Sequence, residues 1–353
     1  MTVVHLPADR VFFEEWSRLR ATSKRSVPRA AQFAEAMGVS LQELPAIVVV
    51  GSKGKATAAT YASAALVAAG HRVGTITSPP ILTNRERIRV NGVAIREHEY
   101  DALASRVESA LRAMPESDGY LSPAGLYLIG GIDHCRRTGC DVIVAEAGMG
   151  GRSDEVSLLD PVVLAVTPIF LEHAGILGNS VEEITAEKLG AAGPRTTIIR
   201  ATERGTSAAL GLEAARAFDA SATLEGVTVH LPGRMTRHSD REGRSWLVDA
   251  AVDAIGVAQA VEQAGDACFV FVSLPYDKDI AKTTAWLDAH MRERWMPVKP
   301  AAAEHLSYAT WDRPVVPWHA SLPSHHRRIV AAGSWSFIAE VLAMLGVENE
   351  VAF

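Results

Sequence analysis

The stretch "GSKGKAT", Gly51 to Thr57, puts two glycines, two lysines and two hydroxyl residues in seven positions, after the apolar run "AIVVV" and before an alanine-rich segment. A strand that breaks at glycine and reopens as a helix presents several backbone N–H groups and a cationic side chain at a helix N-terminus, where the dipole favours anions. Phosphate is the natural guest, with Gly51, Ser52, Lys53, Gly54, Lys55, Ala56 and Thr57 as its lining. The Thr57 hydroxyl suits a Mg²⁺ ion. The spacing departs from the usual phosphate loop of glycine, four residues, then Gly-Lys-Ser/Thr: two residues separate Gly51 from Gly54, and Ala56 stands between Lys55 and Thr57. The same residues also fit a plain strand-to-helix turn with solvated lysines.

Four more positions have types that do chemistry. Ser78, in "TSPPILTNRERIRVNG", is a second hydroxyl at a strand end with Arg85, Arg87 and Arg89 beyond it; the alternative is a proline-rich turn before a charged hairpin. Glu146 closes the apolar run "DVIVAE", where a carboxylate needs a metal or a cationic partner. "IFLEHAGILG" supplies Glu172 and His173, the histidine being either a ligand or a satisfied structural residue. Lys188, in "EEITAEKLG", lies among carboxylates on an amphipathic helix, as a functional group or a solvated one.

These residues need a scaffold that gathers strand ends. Residues 8–38 read as helix, with Phe12, Phe13, Trp16 and Leu19 on one apolar face. "LPAIVVVG" reads as a buried strand, Thr57 to Ala69 as a helix stopped by Gly70, and "HRVGTIT" as the second strand of a parallel strand-helix-strand unit. "RIRVNGVAI" predicts a hairpin turning at Asn91-Gly92. Helices follow over 97–113 and 123–137, and "DVIVAEAGMGG" and "PVVLAVTPI" are two more strands. The alternation predicts a parallel sheet covered on both faces, with ligands at the carboxyl ends where Thr57, Ser78, Glu146 and His173 fall. After residue 200 a shorter α/β pattern begins, with strands in "RSWLVDAA", "CFVFVSL" and "WMPVKP" and helices over 255–264, 279–293 and 334–345. The boundary falls before "LPGRM", giving domains 1–228 and 229–353.

The 353 residues exceed what one hydrophobic core usually supports, so two domains with a cleft are expected. A net charge of −6 gives no general attraction to nucleic acid. "MTVVHLPADR" lacks the pattern of a signal peptide, and the longest small-apolar stretch is too short to span a bilayer, so neither export nor a membrane is expected. Cys135, Cys140 and Cys268 form no CxxC pair, which fits a reducing, cytoplasmic compartment and core-filling thiols.

The order and wording of these motifs resemble the folylpolyglutamate synthases and, more broadly, the Mur ligases. "GSKGKAT" is similar to the family's GTNGKGS, "TSPPILTNRERIRVNG" to TSPHL...NERI...NG, "EAGMGGRSD" to EVGLGGRLD, and "LEHAGILGNSVEEITAEKLG" to LDHTxxLGxTxxxIAxEKAG. The likeness is good over residues 10–200 and patchy beyond, where "LPGRM", "LVDAAVDAIGVAQAV", "SLPYDKDI" and "VAAGSWSFIAEVL" carry it. The resemblance implies a P-loop-type parallel-sheet domain with helices on both faces, the Mur ligase-like central ATP-binding domain, followed by a smaller Rossmann-like α/β domain. It implies an ATP-dependent carboxylate-amine ligase that phosphorylates an acid and lets an amine, glutamate or another amino acid, displace the phosphate. Lys55 would hold the β and γ phosphates. Thr57 and Glu146 match the ligands of one Mg²⁺; Ser78 and His173 match those of a second, with Lys188 at the position that the family carbamylates into a further ligand. Arg234 matches a phosphate-contacting arginine and Asp249 an aspartate near the ribose; closure of the two domains would complete the site.

Several positions differ from the family pattern. Its loop asparagine is Lys53, its histidine after TSP is Pro80, its FE pair is missing from "YLSPAGLYL", and DGAHNP has become "DAAVDA" with Val252 and Asp253. The segment that helps hold adenine is compressed to "ERGTSAALGLEAARAF". Three readings follow: a ligase acting on a non-folate carboxylic acid, an authentic folylpolyglutamate synthase, or a non-catalytic nucleotide-binding scaffold that pairs with a catalytic homologue. A monomer or a homodimer suits any of them.

Overall fold

The helix expected over residues 8–38 is two helices, α1 (Asp9–Ser17) and α2 (Val27–Ala36), with the two-residue strand β1 (Lys24–Arg25) between them. Ser26 makes the break: its hydroxyl accepts from Arg29 N as the α2 N-cap, and Pro28 occupies the first turn, where its missing N–H costs nothing. The apolar face is also narrower than expected, since Phe12 is fully buried while Trp16 is 43% exposed; Leu19 lies outside the described residues. The computed structural model describes residues 6–17, 24–115, 117, 119–173, 175–202, 206–265, 267–276, 278–301, 311, 314–320 and 326–353.

The chain divides into two compact units. The first comprises Leu6–Pro80, Arg85–His230 and Glu350–Phe353. Its elements after α2 are β2 (Ala46–Val50), α3 (Lys55–Ala68), β3 (Val73–Ile76), β4 (Ile88–Val90), β5 (Val93–Ala94), α4 (Glu97–Ala113), β6 (Gly119–Tyr120), α5 (Pro123–Arg137), β7 (Val142–Glu146), β8 (Val163–Val166), α6 (Val181–Leu189), β9 (Thr197–Arg200) and α7 (Ser207–Phe218). Seven strands form one sheet in the order β5-β4-β3-β7-β2-β8-β9, parallel from β3 to β9, while β1 pairs with β6 apart from it. The strand-helix-strand unit is therefore parallel but spans a gap that β7 fills. Asn91 and Gly92, both at positive φ, turn the β4–β5 hairpin as their types require.

Apolar runs without alternation suit strands covered on both faces, and β2, β3, β7 and β8 are buried throughout. One core lies under α1, α2, α4 and α5; the other lies under α3 and α7. The α3 face is nearly all alanine (Ala58, Ala59, Ala62, Ala65), which lets α7 approach closely at Gly211. The compressed segment after residue 200 thus contains a helix that closes this face of the sheet.

The second unit comprises Ile81–Asn84 and Leu231–Asn349 among its described parts. Its elements are β10 (Thr236–Ser239), β11 (Ser245–Asp249), α8 (Ala254–Ala264), β12 (Cys268–Ser273), α9 (Ile280–Met291), β13 (Trp295–Lys299), β14 (Val316–Pro317), β15 (Arg328–Gly333) and α10 (Trp335–Met344). The sheet order is β10-β11-β15-β12-β13-β14, parallel except for the edge strand β10. Residues of α8 and α9 fill the core on one face, and those of α10 fill the core on the other. Both units are thus α/β with mainly parallel sheets, as expected. Cys135, Cys140 and Cys268 are buried thiols, and among the described residues no helix is long and apolar enough to cross a membrane.

The α3–α7 contact yields a stability test. A Cβ on Gly211 would collide with the Ala58 carbonyl and stand 3.0 Å from Ala62 N, both backbone atoms that cannot step aside. Gly211→Ala gains up to ~1 kcal/mol of helix propensity but overpacks by ~1–3 kcal/mol. Urea unfolding should show net destabilisation, and a rise in midpoint would contradict the packing described.

Candidate functional site

In the first unit, β3, β7, β2 and β8 end side by side. Ile76 pairs with Ala145, Val49 with Glu146, and Val50 with Val166, so the segments that begin at Thr77, Ala147, Gly51 and Thr167 leave one edge of the sheet together. Gly51 takes φ 131° and Gly54 φ 90°, conformations that side chains disfavour. Gly54 is the N-cap residue of α3 and Lys55 its first residue, so the loop ends at the helix N-terminus. A Cβ on Gly51 would also collide with Thr167 Oγ1, a buried hydroxyl that has no hydrogen-bond partner among the described residues. The glycine is required twice, for its φ and for its closeness to the end of β8.

The loop is braced from behind. Ser52 N donates to Pro168 O at 3.0 Å, and Phe170 N donates to Ser52 Oγ at 3.3 Å. Lys188, on α6, is 2% exposed, so it is no solvated surface lysine. Its Nζ donates to Gly51 O at 3.0 Å and pairs with Glu172 Oε1 at 2.9 Å. Burial pulls the Lys188 amine below its usual range, against the opposing pull of Glu172, and nearby Lys55 lowers it further. Burial would raise the Glu172 carboxyl, but hydrogen bonds from Ser52 and Lys188, together with the charges of Lys188 and Lys55, outweigh it and hold the group below the ordinary carboxylate range.

A second cluster forms at the ends of β3 and β7. Glu146, 8% exposed, accepts from Ser78 N at 3.0 Å through Oε2. Arg87 donates to Ser78 Oγ at 2.8 Å, so Ser78 is tied to the hairpin by its side chain and to β7 by its backbone. Behind Glu146, the glycine-rich turn is fastened by Arg25, which donates to Met149 O at 3.2 Å and pairs with Asp154 and Glu155.

Of the residues singled out in the sequence, Gly51, Ser52, Lys188 and Glu172 meet in one network, and Ser78 and Glu146 meet in another. Lys53 is exposed, while Lys55, Ala56 and Thr57 are partly buried on the first turn of α3. His173 is at left-handed φ 47° with Nε2 3.9 Å from Glu172 Oε2. Among the described residues no three His, Cys, Asp or Glu side chains converge as a metal cage, so any ion here would draw on hydroxyls and a bound anion as well. Glu172 is named in the sequence without a role; the signal available there was a carboxylate at the start of the stretch that ends in the EKLG lysine.

Arg234 and Asp249 belong to the second unit. The Arg234 guanidinium stacks on the Trp335 ring at 4.4 Å, and Asp249 accepts from Met235 N at 2.8 Å, which joins the segment after Gly233 to the end of β11. The "DAAVDA" changes have structural uses. Val252 packs against the α8–α9 core, and Asp253 caps α8 by accepting from Gly256 N at 2.7 Å.

The Glu172–Lys188 pair predicts a pH signature. With its folded pKa below the unfolded one, Glu172 contributes stability above the ordinary carboxylate range that is lost as pH falls through the folded value. Glu172→Gln should cost less than the ~3–5 kcal/mol of a fully buried pair, since Glu172 remains 19% exposed. Thermal unfolding should show the gap between wild type and variant at neutral pH closing on acidification. A gap that persists with Glu172 protonated would argue against the ion pair.

No family model matches the chain. A dihydrofolate synthase/folylpolyglutamate synthase of Bacillus subtilis is 32% identical over 184 residues, which is 49% of this chain and 41% of that protein; the match thus spans less than half of the relative. The structure of E. coli FolC in complex with DHPP and ADP superposes with a TM-score of 0.78 at 21% identity, over 97% of this chain and 98% of that one. The Yersinia pestis folylpolyglutamate synthase/dihydrofolate synthase complexed with AMPPNP and Mn ion gives 0.77 at 21% identity, over 98% and 100%. In sequence over about half its length, and in its two-domain Mur ligase type of fold, the chain is folylpolyglutamate synthase-like.

Proposed function

We propose that this chain is an ATP-dependent ligase that joins a carboxylic acid to an amine through an acyl phosphate. The observation that carries the reading is the braced loop Gly51–Lys55 on the N-terminus of α3, flanked by the strand ends that bear Ser78 and Glu146. Backbone N–H groups of the loop and the Lys55 ammonium hold the β and γ phosphates, in a geometry that Lys188 fixes through Gly51 O. The Thr57 hydroxyl and the Glu146 carboxylate are hard oxygen donors that suit one Mg²⁺, and Ser78 and His173 are the residues proposed for a second. When bound, Mg²⁺ would neutralise charge shared between the donor and acceptor oxygens. The carbamylation that the resemblance implies for Lys188 would replace its ammonium by an anionic carbamate with one N–H left, so the ion pair with Glu172 would be lost. Arg234 and Asp249 enter the reading only as the residues that the resemblance matches to phosphate and ribose contacts. A cytoplasmic location and small-molecule substrates complete the reading.

The acid is either a folate or another carboxylic acid. Likeness to folate-named synthases favours the first at least as well as the altered "YLSPAGLYL" and Pro80 favour the second. ADP release from ATP should require both an acid and an amine, and Lys55→Ala should slow it by about 10²–10³-fold. Dihydropteroate or tetrahydrofolate with glutamate, run beside a panel of other acids and amines, assigns the substrate. Nucleotide binding without turnover across the whole panel would sink the ligase reading and leave the scaffold.

A further inference from the structure

The three arginines of "TNRERIRVNG" are indistinguishable by spacing, and the structure gives them different work. Arg85 donates to Ile95 O at 2.9 Å and pairs with Glu350, and Arg89 donates to Gly92 O at 3.0 Å and Glu350 O at 2.9 Å; both fasten the β4–β5 hairpin to the C-terminal residues. Arg87 turns the other way. It is 6% exposed, and its guanidinium donates to Ser78 Oγ at 2.8 Å and lies 4.7 Å from the centroid of the Tyr127 ring. Its own carbonyl accepts from Thr77 N at 3.0 Å, which holds its backbone beside the residue that precedes Ser78.

A buried chain of polar groups stands behind it. The Tyr127 and Tyr100 hydroxyls are 2.6 Å apart, Tyr100 donates to Asp9 Oδ1 at 2.6 Å, and Asp9 Oδ2 accepts from Leu6 N at 3.0 Å. Phe12 stacks on both tyrosines, with centroids 4.1 Å from Tyr127 and 5.5 Å from Tyr100. Asp9, Tyr100 and Tyr127 are each at most 3% exposed. A hydrophobic core of this kind does not bury an arginine without a task, because the charge must be matched on every side.

We propose that Arg87 is a positioning residue: it fixes the Ser78 hydroxyl at the strand end that carries Glu146 and so sets how tightly the nucleotide site holds its divalent cation. The proposal rests on the ligase reading. A serine oxygen that accepts from Arg87 keeps one lone pair and its proton for a bound group, while the Ser78 N–H holds the Glu146 carboxylate in register. Tyr127, Tyr100 and Asp9 keep the guanidinium plane in place. Lysine in its place would carry the charge without the planar fork or the stacking, so the substitution is not conservative here.

The test is the Mg²⁺ concentration needed for half-maximal binding of a non-hydrolysable ATP analogue, read by calorimetry on the full chain. Arg87→Lys should raise it about tenfold or more, as loss of a group that orients a ligand typically does. Ser78→Ala should raise it similarly, and the double variant should be no worse than the poorer single one, because both break the same link. Tyr127→Phe keeps the ring and the fold, and should shift the midpoint in the same direction by less; it decides the matter if Arg87→Lys does not fold. An unchanged Mg²⁺ midpoint in the folded Arg87 variant, or additive effects in the double variant, overturns the proposal while leaving the ligase reading intact. A wild-type chain that binds the analogue with no dependence on Mg²⁺ overturns both.

Discussion

The buried ammonium of Lys188 is the interaction on which the candidate site depends. Gly51 must leave β2 at a φ that only glycine adopts freely, pressed against Thr167, and its carbonyl then points into protein. A carbonyl so placed needs a donor. Lys188 supplies it from α6, and Glu172 supplies the counter-charge that makes an ammonium tolerable at 2% exposure. The three groups come from three separate segments, so the loop, the turn after β8 and α6 are locked together. The post-β7 loop joins them, since Arg152 N donates to Glu187 O and Ser153 N to Glu187 Oε1, and Gly151 lets the backbones touch.

Two ionic networks thus flank the loop with opposite construction. On the β8 side a lysine reaches in and a carboxylate answers it. On the β3 side a carboxylate, Glu146, ends a buried strand, and the cation that balances the neighbourhood is an arginine stacked on an aromatic ring. Burial lowers the Arg87 pKa, while Tyr127, Tyr100, Asp9 and Glu146 pull it back up. Arginine is the residue that stays charged under such conditions, whereas the more readily titrated lysine is used where a full carboxylate stands beside it.

The sheets were legible because strands covered on both faces are continuous apolar runs, and "AIVVV", "VIVAE" and "CFVFVS" each became a strand. The hairpin was legible because Asn91-Gly92 is a turn that few other residues could make. The split between α1 and α2 was less so: the helical period continues through the region, and the stop depends on the Ser26 cap, Pro28 and the pairing of β1 with β6. Lys188 could be picked out but not placed, because its partners are a backbone carbonyl and a glutamate on other segments. Arg87 could not be told from Arg85 and Arg89, since it ends the short turn Asn84–Arg87 just before β4, and which way that turn aims its last side chain is decided by α5 and its tyrosine, far away in sequence.

Departures from a motif also change meaning once neighbours are known. "YLSPAGLYL" lacks the FE pair, and Gly125 leaves a space there that the Glu155 carboxylate occupies; Glu155 accepts from Ser122 Oγ at 3.0 Å and pairs with Arg25. A carboxylate is present in that region, delivered from the loop after β7 and neutralised within the protein. Asp253 likewise is used by the fold, its carboxylate accepting from Gly256 N as the cap of α8. At both places the fold itself uses the side chains that are present. In the proposed ligase the braced loop keeps Gly51, Gly54 and Lys55 in the places where the resembled loop has its first two glycines and its lysine, while Lys53 replaces its asparagine.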